Sequence, residues 1–335
     1  MNDRKKRIVE LLFFAVIMLF TFAAVFHGQN PVQIFAAVCR MKPSAMVAAI
    51  VLALLFVSLE GTMIWYLLSG LNGKSGLLQC IQYSFIGFFY SGITPSATGG
   101  QPMQLYYMKK DKNRVSDSTV VLMTVALMYK LVLVVIGAGI LLFWSIPLHG
   151  YLGNYYYLFL LGIGLNVLLV ALIWGVMLYP KVIRHMAAEA EKLFVKLHLL
   201  KPDERRLAPL DGFIQGYQAA VEFLSANPRK VLLIFFLTIF QRCTLFVLTY
   251  AVYRGFGLSG ETPLTIILLQ AAVYIAVDML PVPGAQGITE LMYRSVFSGI
   301  FTGGLLLPSM LVSRAFNFYL LLLVSMCVAI YRWKR

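Results

Sequence analysis

The sequence predicts an all-α polytopic membrane protein with six full spans and two re-entrant hairpins, which are broken by proline and glycine and form an inverted repeat. Of its 335 residues, 60% are hydrophobic and only 13% are charged, and the mean hydropathy is +0.81. A soluble chain carries about a quarter charged residues. Several apolar runs are long enough to cross a hydrocarbon core of about 30 Å. These features exclude a soluble enzyme, a nucleic-acid-binding protein and a disordered chain.

The apolar segments follow one another along the chain with short polar loops between them. They are 8–26, 44–68, 77–93, 118–145, 152–178, 229–252, 263–280 and 288–331. We interpret the first as a retained helix, since it is too long for a signal peptide. The long polar stretch 179–228 repeats apolar residues at the helical period, which predicts a cytoplasmic linker of amphipathic helices.

Basic residues set the predicted topology, because loops rich in lysine and arginine stay in the cytoplasm. They concentrate in four stretches, which are 1–7, 109–114, 179–230 and 332–335. A full crossing by 77–93 would put 109–114 outside. The conflict disappears if 77–110 enters, breaks at 94–100 and returns to the same side. The same reasoning makes 263–302 a hairpin broken at 281–287, and it places both termini in the cytoplasm.

The two broken segments give the chain, a single membrane domain over 1–335, two halves at about 44–145 and 229–331. When Pro95 is aligned on Pro281, Gln104 falls on Glu290. The residues that break the hairpins are Pro95, Gly99, Gly100, Pro281, Pro283, Gly284 and Gly287. Broken segments at matching places in inverted halves indicate a binding site near the membrane midplane.

Seven ionisable residues fall inside apolar segments, where each would cost at least about 2.5–3.5 kcal/mol if it faced lipid. They are Glu60, Lys130, Arg242, Asp278, Glu290, Arg294 and Arg314. We therefore expect them to face one another or a wet cavity. Because the cations outnumber the anions, the cavity is expected to attract phosphate. The alternative is a set of structural ion pairs, for instance Glu60 with Arg242 and Glu290 with Arg294.

Polar side chains beside the breaks complete the predicted substrate-binding set. They are Thr94, Ser96, Thr98, Gln101 and Gln104 in the first hairpin, and Gln286 in the second. The alternative is that the hydroxyl groups only satisfy the interrupted backbone. No nucleophile–base pair and no metal-ligand spacing occurs in the sequence, so no catalytic residue, metal or cofactor is predicted.

The segment Pro281-Val-Pro-Gly-Ala-Gln-Gly-Ile-Thr-Glu290 resembles the P-x-P-G-x-x-G-x-x-E signature of the flippase-like membrane region of lysylphosphatidylglycerol synthases. Residues 94–104 are similar to the first Pro/Gly-rich motif of that region. This chain has Gly99-Gly-Gln-Pro102 and Gln104 where that motif has an acidic residue and an arginine, which leaves the lipid headgroup open. The resemblance implies movement of aminoacylated phosphatidylglycerol between leaflets and resistance to cationic peptides. The soluble domain that transfers the lysyl group is not expected in this chain.

The preferred hypothesis is a plasma-membrane lipid translocase that binds an anionic or aminoacylated phospholipid. A separate lipid synthase or glycosyltransferase would be its partner, and nucleic acid would not. Two alternatives stay open, an integral-membrane transferase of the phosphatidylglycerol lysyltransferase type and an ion-coupled transporter of a small anion.

Overall fold

The computed structural model describes residues 31–94, 97–179, 208–280, 287–302 and 304–334, and within these ranges the chain consists of helices joined by turns and loops, without any strand. By length and composition, four described stretches can cross a membrane: Pro43–Gly70, Val115–Leu178, Pro228–Gly255 and Leu306–Lys334. The prediction of an all-α, multi-pass membrane protein is confirmed at this level. The predicted first span at 8–26 lies outside the described residues.

The first part of the chain contains six described helices. They are α1 (Pro31–Cys39), α2 (Pro43–Gly70), α3 (Leu77–Ile93), α4 (Gly100–Lys110), α5 (Val115–Leu152) and α6 (Tyr156–Leu178). Proline is the first residue of α2, where its missing N–H leaves no hydrogen bond unmade. Helix α5 is kinked at Trp144, three residues before Pro147, close to the predicted end of that span at residue 145.

The second part begins with α7 (Ala208–Ala226) and α8 (Pro228–Gly255). It continues with α9 (Pro263–Val277), α10 (Ile288–Val296), α11 (Leu306–Arg314), a π-helical segment (Ala315–Leu320) and α12 (Leu321–Lys334). A π-helical turn inside an α-helix is uncommon and often marks a functional position. This one separates α11 from α12 where the predicted last span should be continuous.

Helices α2 and α8 pack along each other in antiparallel orientation. At one end the backbone N–H of Lys42 donates to the carbonyl of Gly255 over 3.0 Å. At the other end the ammonium of Lys230 lies 4.7 Å from the ring centroid of Tyr66. The matching long helices of the two predicted halves are therefore direct neighbours.

Each short helix that precedes a break packs against a helix of the other predicted half. Helix α3 lies along α12, and α9 lies along α5; α9 also packs against α6, which follows the first half. A Cβ atom at Gly162 of α6 would stand 2.3 Å from the carbonyl oxygen of Ile275 in α9, so these two backbones touch. Small residues allow this approach between membrane helices.

Helix α7 is the described part of the predicted linker, and residues 180–207 lie outside the description. Its apolar face is turned inward, with Ile214, Tyr217, Ala220 and Leu224 buried. This face packs against α5 and the start of α8.

A polar cluster joins the loop after α4 to the end of α12. The carboxylate of Asp111 accepts hydrogen bonds from the hydroxyl of Tyr83 and from the guanidinium of Arg332. The hydroxyls of Ser75 and Tyr83 are 2.7 Å apart. The loops before α3 and after α4 therefore lie at one end of the molecule, together with the C-terminal end of α12.

Candidate functional site

A cavity of about 560 Å³ lies between the central helices, bordered by the first break and by the π-helical segment. Its lining includes eight predicted substrate-binding residues: Glu60, Thr98, Gln101, Gln104, Lys130, Arg242, Asp278 and Arg314. Charges that lie far apart in sequence, on α2, α5, α8, α9 and α11, are thus brought to one cavity. Its volume falls in the usual range for ligand sites.

Arg242 is a buried cation in the wall of this cavity, with 5% of its surface exposed. Its Nη1 donates to the hydroxyl of Tyr274 over 3.2 Å, and its Nη2 donates to Oε1 of Gln241 over 3.1 Å. The guanidinium carbon lies 3.9 Å from the ring centroid of Tyr129. Its Nε has no hydrogen-bond partner, and within the described residues no carboxylate lies within ion-pair distance. A guanidinium in this state can accept an anion.

Unlike Arg242, Lys130 forms a direct ion pair with a carboxylate. Its ammonium donates to Oδ2 of Asp278 over 2.5 Å, and both side chains are largely buried. The hydroxyl of Tyr129 donates to the other carboxylate oxygen of Asp278. The pair therefore joins α5, in the first predicted half, to the end of α9 in the second.

Glu60 accepts a hydrogen bond from Nε2 of Gln104 over 2.8 Å. It interacts electrostatically with Arg242, but the two do not form the direct ion pair considered from the sequence. The amide of Gln104 reaches Glu60 because Gly87 makes room, since a Cβ there would stand 2.4 Å from Nε2 of Gln104. This carboxylate is bound to a neutral partner, so it can also accept a cationic group of a ligand.

Glu290 pairs with Arg314, not with Arg294 on its own helix. Its Oε1 accepts from Nε of Arg314 over 2.8 Å, and its Oε2 accepts from the backbone N–H of Gly287 over 2.6 Å. Gly287, at φ +81°, forms the turn into α10. Arg294 is exposed on α10 and does not line the cavity. The local pair expected from the sequence is therefore replaced by a pair between α10 and α11.

Thr94 closes the first break and does not line the cavity. Its hydroxyl donates to the carbonyl of Tyr90 over 2.7 Å and accepts from the N–H of Gly99 over 2.9 Å. Thr94 therefore supplies hydrogen bonds to backbone groups that the break leaves without helical partners. This is the role that the alternative interpretation of the hydroxyl groups gave it. The break residue Gly100 lies in the cavity wall. The predicted residues Ser96 and Gln286, and the predicted breaks at Pro95, Pro281, Pro283 and Gly284, lie outside the described residues.

Several cavity residues are absent from the predicted set. Gln270, Tyr274 and Asp278 lie four residues apart, so they share one face of α9. That spacing could have identified Gln270 and Tyr274 once Asp278 was singled out. Asn317 in the π-helical segment also lines the cavity, and its spacing of three residues from Arg314 could have identified it in the same way.

Among the described residues, Lys130, Arg242 and Arg314 line the main cavity together with two carboxylates, Glu60 and Asp278. Glu290 lines only a small space beside it, and Arg294 lines neither. Three cations and three carboxylates therefore surround the two spaces together, while the main cavity alone keeps one more cation than carboxylates, in the direction that the sequence predicts. Arg242 and Glu60 both line the cavity, and neither has a direct partner of opposite charge in the part of the chain that the structure describes. This arrangement can bind a group that carries an anion and a cation together.

A family model described as lysylphosphatidylglycerol synthase TM region matches residues 7–325. The chain belongs to this family. No curated protein matches it. Membership confirms the resemblance carried by the segment that ends at Glu290, and it connects the membrane helices to lipid metabolism. In this member of the lysylphosphatidylglycerol synthase TM region family, that segment supplies Glu290 to the ion pair with Arg314.

Proposed function

We propose that this protein translocates a charged phospholipid, such as lysylphosphatidylglycerol, between the leaflets of the plasma membrane. The observation that carries the proposal is Arg242, a buried guanidinium without an ion-pair partner among the described residues, in a cavity enclosed by membrane helices. A phosphodiester headgroup is the anion that such a position can meet in a membrane, and arginine binds phosphate through several donors.

Glu60 supports an aminoacylated headgroup in particular. Its carboxylate lies in the same cavity and, within the described ranges, is bound by the neutral amide of Gln104 alone. An aminoacyl group carries an ammonium. The phosphate of such a headgroup would neutralise Arg242, and its ammonium would neutralise Glu60. A separate lipid synthase would then supply the aminoacylated lipid.

The proposed transport route uses two re-entrant hairpins in an inverted repeat, with both termini in the cytoplasm. The contact between Asp111 and Arg332 supports this topology, because it places two basic, predicted cytoplasmic stretches at one end of the molecule. The bond from Lys42 to Gly255 supports it at the opposite end. The reciprocal packing of α3 on α12 and α9 on α5 supports a repeat in which the halves exchange helices.

The experiment is reconstitution of the full chain into liposomes with phosphatidylglycerol or lysylphosphatidylglycerol labelled on an acyl chain. A membrane-impermeant reductant bleaches label in the outer leaflet, and the protein should expose the remaining label over minutes. Protein-free liposomes and liposomes with an unrelated membrane protein are the controls. No excess bleaching for either lipid contradicts the proposal.

A second readout separates translocation from lipid modification. Mass spectrometry of the same liposomes should find the lipid unchanged after transport. If a headgroup of altered mass forms in the presence of this chain alone, the protein is a transferase and the proposed translocase function is contradicted.

A further inference from the structure

Gln270 is a buried amide that no contact described above explains. It lies on α9 with 7% of its surface exposed, and its Oε1 has no hydrogen-bond partner among the described residues. A buried acceptor without a partner costs about 1–3 kcal/mol, so such a group is normally completed by water or by a ligand.

Gln270 lies beside two spaces that a ligand could occupy. It lines the main cavity and also a small adjoining space of about 20 Å³. That volume holds about one water molecule or one hydroxyl group. The amide therefore borders both the main cavity and a smaller space that has room for a single polar atom.

The surroundings of Gln270 favour a neutral group over an ammonium. Thr289 and Asn317 line both spaces, and their side chains are an uncharged hydroxyl and amide. Arg314 also lines both spaces, and its guanidinium neutralises the nearby carboxylate of Glu290. In the small space an ammonium would meet this cation and, among the described residues, no carboxylate without an ion-pair partner. A hydroxyl satisfies an amide in either orientation, because it both donates and accepts.

We infer that Gln270 is a specificity-determining residue that binds a hydroxyl group of the lipid headgroup while Arg242 holds its phosphate. This inference rests on the proposed function and narrows its substrates to phosphodiester lipids with a hydroxylated headgroup, of the glycerol or sugar type. Arg242 and Gln270 are both in the cavity wall, on neighbouring helices that pack together.

The test compares phosphatidylglycerol with phosphatidylpropanol, which has the same charge and nearly the same size but no headgroup hydroxyl. Both lipids carry the label on an acyl chain, in the liposome assay above. The wild-type protein should move phosphatidylglycerol about threefold to tenfold faster, the range that one net hydrogen bond gives. Equal rates for the two lipids overturn the inference and leave the small space to water.

Two variants locate the preference. Gln270→Leu should move both lipids at the slower rate of phosphatidylpropanol. Asn166→Leu is the matched control, because Asn166 is fully buried and its Oδ1 also lacks a partner, but it does not line the cavity. Asn166→Leu should keep the wild-type preference. A preference that survives in folded Gln270→Leu, or is lost equally in Asn166→Leu, contradicts the inference.

Binding distinguishes this inference from the proposed function. Short-chain forms of the two lipids should compete differently for the wild-type protein in detergent, with phosphatidylglycerol about threefold to tenfold stronger. If neither lipid is transported but this difference is found, translocation fails and the hydroxyl subsite stands. Equal competition overturns the subsite whatever the transport result.

Discussion

Lys130 and Arg242 place a charge well inside an apolar helix, and the structure accommodates them differently. Lys130 is neutralised by Asp278 at 2.5 Å. Among the described residues, Arg242 donates to the hydroxyl of Tyr274 and to the side-chain carbonyl of Gln241, and it lies against the rings of Phe56 and Tyr129. Weakly hydrated and polarisable, a guanidinium tolerates that setting better than an ammonium does. Lys130, with its ion pair, is therefore suited to stabilise the fold, and Arg242 is suited to bind an anionic ligand.

The Lys130–Asp278 pair gives a prediction about stability. Asp278→Asn leaves a buried ammonium without its charge partner, so it should lower the free energy of unfolding by about 3–5 kcal/mol. The double variant Lys130→Met, Asp278→Asn should recover part of that loss, because no unpaired charge remains. Thermal unfolding in detergent measures both.

The exposed carboxylate of Glu222 on α7 provides the control. Glu222→Gln should leave the unfolding temperature unchanged. A double variant that is less stable than Asp278→Asn would show that the pair is not held by charge compensation.

Arg242 gives a prediction about transport. Arg242→Gln keeps a hydrogen-bonding side chain but removes the positive charge, so transfer of either lipid should fall at least tenfold, since a charge-assisted bond contributes about 1.5–3 kcal/mol. The liposome assay measures it. Arg254→Gln, on the same helix but exposed, is the matched control and should transfer lipid normally. Equal transfer by folded Arg242→Gln would remove Arg242 from the site.

At the scale of elements, the cavity depends on helices that approach more closely than ordinary side chains allow. Gly162 brings α6 against the backbone of α9, and Gly87 lets Gln104 reach across from α4. The first contact fixes the helix that carries Gln270, Tyr274 and Asp278. The positions of these polar groups therefore depend on Gly87 and Gly162, which have no side chain of their own to contribute.

Gly162→Ala tests this dependence. The added methyl would meet the carbonyl oxygen of Ile275, which a flexible side chain cannot relieve, so α6 and α9 must separate. We expect a loss of about 1–3 kcal/mol, as for other overpacked sites. Gly164→Ala is the control on the same helix, because a Cβ there meets nothing within 4 Å. Thermal unfolding in detergent should distinguish the two, and equal stability would contradict the close packing.

For the whole molecule, topology is the property that the proposed route most needs. In a chain whose cysteines are replaced, Lys109→Cys should be labelled from the cytoplasmic side and Ser259→Cys from the outside. Both positions are exposed in the structure. Impermeant maleimide applied to intact cells and to inverted vesicles measures this. Outside labelling of Lys109→Cys would mean that 77–93 crosses the membrane completely.

The hydropathy pattern and the proline and glycine positions predict most of the described helices, because a bilayer permits few other backbone arrangements. Rotation about each helix is harder to predict. Successive residues turn by about 100°, so Arg294 and Arg314 look alike in sequence although only Arg314 reaches the cavity. Partners such as Gln104 for Glu60 depend on packing between helices, which no local pattern records.

The charges around the cavity and the adjoining small space have an electrical consequence. When Glu290 of the adjoining small space is included, three cations are matched by three carboxylates among the described residues, so these side chains add no net charge to a rearrangement of the protein. A membrane potential would then act mainly on the cargo, with about 2.3 kcal/mol per charge for each 100 mV. In a cell that is negative inside, this voltage drives anionic phosphatidylglycerol outward and holds the net cationic lysyl form inside. The two lipids would therefore be distributed across the bilayer in opposite senses by the same protein.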